Sequence, residues 1–154
     1  EALAGAGEPE RALVELARRL ASSFDLPPWR RPDDIATADA REMVEAVRAA
    51  LPGSEVFVAD RGGVCVGCLH VLETTDFFGT PHAHISVLAT TVAAEGSGVG
   101  RALLDHAEAW ARSRGHSLLT LNVFAANERA RRFYERAGLL PEMLKYTKPI
   151  SPAP

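Results

Sequence analysis

The stretch Thr91-Val92-Ala93-Ala94-Glu95-Gly96-Ser97-Gly98-Val99-Gly100-Arg101 limits what this chain can fold into more than any other, because of its flanks. Upstream, Ala83 to Thr90 (AHISVLAT) reads as a buried strand. Downstream, Val99 to Arg114 repeats its apolar side chains at helical spacing, with Leu103, Ala107, Trp110 and Ala111 on one face. A strand, three alternate glycines and a helix start together make a seat for an anion. The glycines leave backbone N–H groups uncovered. The first helical turn adds N–H groups without intrahelical partners and the positive end of the dipole. A phosphate or pyrophosphate fits such a place.

Two common phosphate sites do not match. A dinucleotide fingerprint needs G-x-G-x-x-G and a carboxylate about 20 residues on. Here the glycines run G-x-G-x-G, and the next strand, Leu118 to Phe124, ends in Ala125-Ala126-Asn127 without an acid. A Walker loop needs Lys and Ser/Thr where Arg101 and Ala102 stand.

A second element narrows the choice. Leu121-Asn122-Val123 ends a strand, Asn127 follows, and Ala130, Tyr134, Gly138 and Leu139 punctuate a short helix and its exit. With the glycine loop, this pattern resembles the GCN5-related N-acetyltransferase (GNAT) superfamily over roughly residues 83–140. That family's loop is written [QR]-x-x-G-x-[GA], and Glu95-Gly96-Ser97-Gly98-Val99-Gly100 fits it except at the first position. Glu95 therefore puts a side-chain contact to pyrophosphate from that position in doubt, whereas backbone donors do not depend on it.

The resemblance implies an acetyl-CoA-dependent N-acetyltransferase that moves acetyl directly to a primary amine within a ternary complex. It also implies that backbone at Leu88, Ala89 and Thr90 pairs with the pantetheine arm. Glu95, Gly96, Ser97, Gly98, Val99, Gly100 and Arg101 would cradle the pyrophosphate, and Asn127 would bond the arm. Asn127 is also a natural helix cap, and its amide can serve both roles.

Tyr134 stands where the family places an acid for the departing thiolate; a phenol with a pKa of about 10 can supply that proton. The other reading of Tyr134 is an aromatic ring covering the core edge beside Phe133. For the base, His84 is the first candidate, because His82, His84, Ser86 and Leu88 share one strand face by alternation. Glu73, acting through water, is the second. Arg129, Arg131 and Arg132 offer a contact to the 3′-phosphate or a solvated helix face. Phe24 to Trp29, Phe77, Phe78 and Tyr146 are expected to wall the acceptor site.

Composition bounds the rest. A chain of 154 residues with 47% apolar and 24% charged residues suits one globular domain, here expected over residues 1–150 with a 151–154 tail. A net charge of −3 argues against broad nucleic-acid binding. No apolar run approaches the roughly 18 residues of a membrane helix and no leader pattern opens the chain, so a cytoplasmic protein is expected. Fifteen of the seventeen basic residues are Arg, which suggests a GC-rich bacterial gene.

Cys65 and Cys68 spell C-x-x-C, but on a strand side chains three apart point to opposite faces, which argues against a redox or metal pair. Two free thiols fit a reducing compartment. No metal site is expected. His106 and His116 read as surface residues.

The remaining elements complete an α/β sandwich on a mixed, largely antiparallel sheet, in the order β-α-α-β-β-β-α-β-α-β. Glu1 to Leu3 is the expected first strand and Gly5 to Gly7 a turn. One helix runs from Pro9 to about Ser22, and another from Asp34 or Thr37 to Ala50. Val56–Asp60 and Gly63–Glu73 form a hairpin, and Glu142–Lys148 is the expected last strand. A small-molecule amine is favoured as acceptor, since no peptide-reading pattern stands out. A homodimer is open to such a domain. The alternatives are a protein N-acetyltransferase, or a CoA-binding or regulatory module without turnover.

Overall fold

The computed structural model describes residues 7–151; the expected first strand and most of the Gly5–Gly7 turn lie outside them. Two amphipathic helices come first, α1 (Glu8–Ser22) and α2 (Pro32–Ala49). Both open with proline in the first turn, where the missing N–H has no helical partner to lose. Glu10 fastens them together. Its carboxylate accepts from the Gly7 N–H at 3.2 Å and from Arg48 of α2 at 2.8 and 2.7 Å, and Arg48 holds its pKa below the usual value. The second helix begins two residues before the expected Asp34, because Pro32 serves as its start rather than as a breaker.

Strands β1 (Ser54–Arg61) and β2 (Val64–Thr75) form the expected hairpin. Gly62 and Gly63 both take positive φ, +63° and +82°, as a tight hairpin turn of matching twist requires. Strand β3 (Pro81–Thr90) pairs antiparallel with β2, and β4 (Leu119–Leu121) pairs parallel with β3. Between them lie a 3₁₀ turn (Val92–Ala94) and helix α3 (Val99–Ser113); helix α4 (Glu128–Arg136) follows β4. The sheet order is β1-β2-β3-β4, so a mixed, mainly antiparallel sheet carries helices on both faces, as expected.

Two clusters form the core, one on each face. Leu103, Leu104, Ala107, Trp110 and Ala111 of α3 pack on Leu69, Val71, Ala83 and Ile85, with Phe133 and Tyr134 of α4 at the margin. On the other face, Leu13, Leu16 and Ala17 of α1 and Ala40 and Met43 of α2 pack on Cys68, Val87 and Ala89.

Two β-bulges correct the face assignments made by simple alternation. Ala59 pairs with Gly67 and Asp60 with Cys65, which leaves Val66 as an extra residue in β2. Each such insertion reverses the faces beyond it. Cys65 and Cys68 therefore pack in the same cluster, not on opposite faces. Both are free thiols, and burial pushes Cys68 up to about 12, which keeps it protonated and unreactive. The second bulge shapes the site.

Two expected strands differ. Leu118–Phe124 forms a ladder only over Leu119–Leu121, because β3 leaves it there. Glu142–Lys148 is not a strand: it has no ladder partner, and every residue from Leu140 to Ile150 is exposed. No helix among the described residues is long and apolar enough to cross a membrane.

Candidate active site

The cleft opens where β3 and β4 part. Their pairing runs Ala83–Leu119, His84–Thr120 and Ile85–Leu121, and then stops. At the same place β3 bulges: Ile85 pairs with Val71 and Val87 with His70, so Ser86 is the extra residue. A bulge bends its strand and sharpens the local twist. From Ser86 to Thr90 the side of β3 that faced β4 has no strand partner. A cleft of ≈ 530 Å³ lies there, lined by Ser86, Leu88, Ala89, Thr90, the glycine loop, Leu121–Phe124 and α4.

The bulge also separates residues that alternation had put on one face. Ala83 and Ile85 lie in the α3 cluster, whereas Val87 and Ala89 lie in the α1–α2 cluster. Leu88 consequently packs toward α3, on the face opposite to His84. The Nδ1 of His84 sits 2.8 Å from Thr120 Oγ1, and His84 does not line the cleft. Burial, and then His82, lower its pKa, so the ring is neutral at pH 7. Glu73 is also elsewhere. Its carboxylate pairs with His116 at 2.7 Å and Arg114 at 2.9 Å, which hold its pKa down. His116 is thereby a nearly covered hydrogen-bond partner of Glu73 rather than a free surface residue.

The glycine loop has the geometry of an anion seat. Gly96 and Gly98 have φ of +70° and +86°, and a Cβ built at either would meet nothing within 4 Å. Gly98 caps α3, whose first N–H groups, at Val99, Gly100 and Arg101, lie before the first intrahelical bond at Ala102. At Gly100 a Cβ would only make ordinary van der Waals contact, 3.6 Å from Phe133 Cζ. Ser97 is turned away from the seat, its hydroxyl donating to the Ala94 carbonyl and accepting from Arg61 at 3.2 Å.

Glu95 faces two arginines: Arg19 of α1, and Arg129 of α4 at 3.1 Å. These hold its pKa low, Arg129 foremost. The acid that departs from the family pattern is thus neutralised, and two guanidinium groups stand at the loop for one carboxylate. Arg131 donates to the Ala125 carbonyl, and Arg132 pairs with Glu128 at 2.7 Å. Of Arg129, Arg131 and Arg132, Arg129 is the one that lines the cleft; Arg136, at the end of the same helix, lines it as well.

Asn127 caps α4, its Oδ1 accepting from the Ala130 N–H at 3.3 Å, and it lines the cleft with its remaining amide donors. Tyr134 and Phe133 both line the cleft, with ring centroids 5.3 Å apart. Burial pushes the Tyr134 phenol up to about 12, and its hydroxyl makes no hydrogen bond among the described residues. The phenol therefore keeps its proton at neutral pH, and the same burial makes it a weaker acid than a free tyrosine.

Sequence reading missed Asp39. This α2 residue lines the cleft with Ser86 and Phe24. Burial, with Glu42 nearby, pushes its carboxyl up to about 6, the range in which a base works at neutral pH. The available signal was an acid on the flank of an apolar helix stripe, between buried Ala36 and Ala40. Of the expected aromatic walls, Phe24 is in place, stacked 5.5 Å from Phe124. Phe77 and Phe78 stack on each other in an exposed loop, and Tyr146 is exposed; none of the three lines the cleft. Among the described residues, no group of three or more His, Cys, Asp or Glu is placed to hold a metal ion.

The comparisons agree with the fold. The model of the acetyltransferase (GNAT) family matches residues 14–139. A curated relative, a mycothiol acetyltransferase from Propionibacterium freudenreichii subsp. shermanii, is 39% identical over 87 residues, 56% of this chain; the match spans only 28% of that relative's length. A solved structure from Pyrococcus furiosus assigned as an acetyl transferase is 27% identical, with a TM-score of 0.72 over 91% of this chain and 93% of that one. A transcriptional regulator from Bacillus halodurans is 29% identical, with a TM-score of 0.66 over 93% of this chain and 96% of that one.

Proposed function

The chain belongs to the acetyltransferase (GNAT) family, and from that premise we propose that it transfers acetyl from acetyl-CoA to a primary amine of a small molecule. The observation that carries this reading is that one cleft is lined jointly by an unpaired length of β3, an anion seat, a capping asparagine and a protonated phenol. The residues fit the cosubstrate. Backbone at Leu88, Ala89 and Thr90 is free on the side facing the cleft. Gly96–Arg101 offers N–H groups with open space in front, and Arg19 and Arg129 give that end positive charge.

The proton steps follow from the two flanking groups. An alkylammonium has a pKa of about 10 and must lose a proton before it can attack. Asp39, ionised above about pH 6, accepts that proton at the α2 side of the cleft. The amine nitrogen then bonds to the acetyl carbon, and the carbon–sulfur bond breaks. Tyr134 donates its phenolic proton to the leaving sulfur and is reprotonated from solvent, while the new amide sheds its surplus proton. The proposal thus moves the base from His84 and Glu73, which do not line the cleft, to Asp39. The relative named for mycothiol supports a small acceptor, and the free thiols support a reducing, cytoplasmic setting.

The similarity to a transcriptional regulator favours one rival, a CoA-binding module without turnover. Mixing the protein with acetyl-CoA and a panel of amines, and following free thiol, separates the two. Amine-dependent thiol release is the expected result. Binding of acetyl-CoA without release for any amine would leave the binding module standing, and no binding at all would overturn both.

A further inference from the structure

The α2 end of the cleft gathers apolar side chains that neither core cluster uses. Phe24 follows α1, Ile35 lies in the first turn of α2, and Phe124 follows β4. All three line the cleft and all three are half-buried, yet none belongs to the packing on either face of the sheet. Val123, which lines the cleft beside them, is 38% exposed. Phe24 and Phe124 meet across the cleft with ring centroids 5.5 Å apart and planes tilted by 36°. An apolar wall drawn from three separate elements and left half in water is the lining of a ligand pocket.

The charges along the same cleft are unequal. Arg19, Arg101, Arg129 and Arg136 line it, against two carboxylates, Asp39 and Glu95. Glu95 is already held between Arg19 and Arg129. Glu42, three residues beyond Asp39 on α2, accepts from the Ser86 hydroxyl at 3.0 Å and does not line the cleft. Among the described residues, Asp39 is therefore the cleft carboxylate left for a cation. A second ammonium on the same ligand would meet guanidinium groups, which repel it. Ile35 and Asp39 are four residues apart on α2, so they share a face with their Cβ atoms about 5–6 Å apart.

We propose that the acceptor is an arylalkylamine with a single ammonium: its nitrogen at Asp39, a spacer of about two carbons beside Ile35, and its flat ring against Phe24 and Phe124. Aromatic rings in tilted or offset contact gain more than the area they bury, which favours a ring over a chain of the same length. Polyamines and polycationic amino sugars fit poorly, because their further ammonium groups would face arginine. The assignment rests on the acetyl-transfer reading, which brings the amine to Asp39, and it narrows the acceptor from any small primary amine to one chemical class.

Binding and turnover are read separately. Calorimetry on the CoA-saturated protein gives Kd for phenethylamine, hexylamine and cadaverine, and thiol release from acetyl-CoA gives kcat/KM for the same three amines. Phenethylamine should bind about 3–10-fold more tightly than hexylamine, and more tightly still than cadaverine, with kcat/KM in the same order. Phe24→Ala and Phe124→Ala should each remove the preference over hexylamine. Phe24→Asp, which adds a second carboxylate, should bring cadaverine ahead of phenethylamine. Wild-type protein that binds hexylamine or cadaverine as tightly as phenethylamine, or binds none of them, would overturn the proposal. So would alanine variants that keep the wild-type order. Thermal melts identify any variant that fails to fold, and the wild-type order then decides alone. Binding in the expected order without thiol release would support the pocket's ligand class and sink acetyl transfer, whereas thiol release in another order would do the reverse.

Discussion

At the scale of single residues, Tyr134 and Asp39 carry the sharpest predictions. Tyr134→Phe deletes the proton donor and keeps the ring beside Phe133. The expected result is a fall in kcat of about 10²–10⁴-fold with CoA affinity and melting temperature nearly unchanged. Steady-state kinetics, a CoA titration and a thermal melt decide it; full activity would reduce the ring to packing. Asp39→Asn should lower kcat and abolish a rise in rate through about pH 6, the value to which burial pushes this carboxyl. Its effect on stability has a definite sign. The folded state binds this proton more tightly than the unfolded chain, so wild-type stability falls as pH rises from about 4 to about 6. The Asn variant should therefore melt higher than wild type at pH 7, and the difference should vanish below about pH 4. Glu95→Gln removes one negative charge facing Arg19 and Arg129. CoA should bind as well or more tightly, with a steeper salt dependence; lost binding would mean that Glu95 holds the two arginines in place.

At the scale of elements, the glycines divide by mechanism. Gly67 in β2 lies under the first turn of α3, where a Cβ would come 3.0 Å from the Ala89 carbonyl oxygen and from Leu103 Cδ1, and 3.1 Å from Val99 Cγ1. Gly67→Ala should cost about 1–3 kcal/mol as overpacking, and should weaken CoA binding by lifting the glycine loop with its helix. Denaturant unfolding and a CoA titration measure the two effects. Gly98→Val meets no neighbour, but its φ of +86° is unfavourable for a branched residue, and its side chain would fill the anion seat. That variant should lose CoA binding more completely than it loses stability, the reverse of Gly67→Ala.

For the whole molecule, ligand and fold are linked. A ligand at a hundredfold its Kd adds about 2.7 kcal/mol to the stability of a one-site protein. For a chain of this length that is a rise of roughly 5–11 °C in melting temperature. Scanning with and without CoA checks it, with Gly98→Val as the variant expected to show little shift. The sheet sets where this linkage acts, because the cleft is the gap left when β3 bulges at Ser86 and parts from β4.

Local pattern was enough for features that a few neighbouring residues decide. The helical stripe of α3, the Gly62-Gly63 turn, the glycine turn that opens α3 at Val99 and the Asn127 cap each depend on propensity, φ or one short hydrogen bond, and each of these local structures stands as read. Alternation failed where β-strand register is set by the partner strand. The extra residues at Val66 and Ser86 exist only relative to β1 and β2, and they turned Cys65 toward Cys68 and His84 away from the face of Leu88. Asp39 is an ordinary helix acid until packing buries it at the cleft and raises its pKa. The segment Glu142–Lys148 carries strand chemistry in its sequence, but a strand forms only against another backbone, and that choice belongs to tertiary structure.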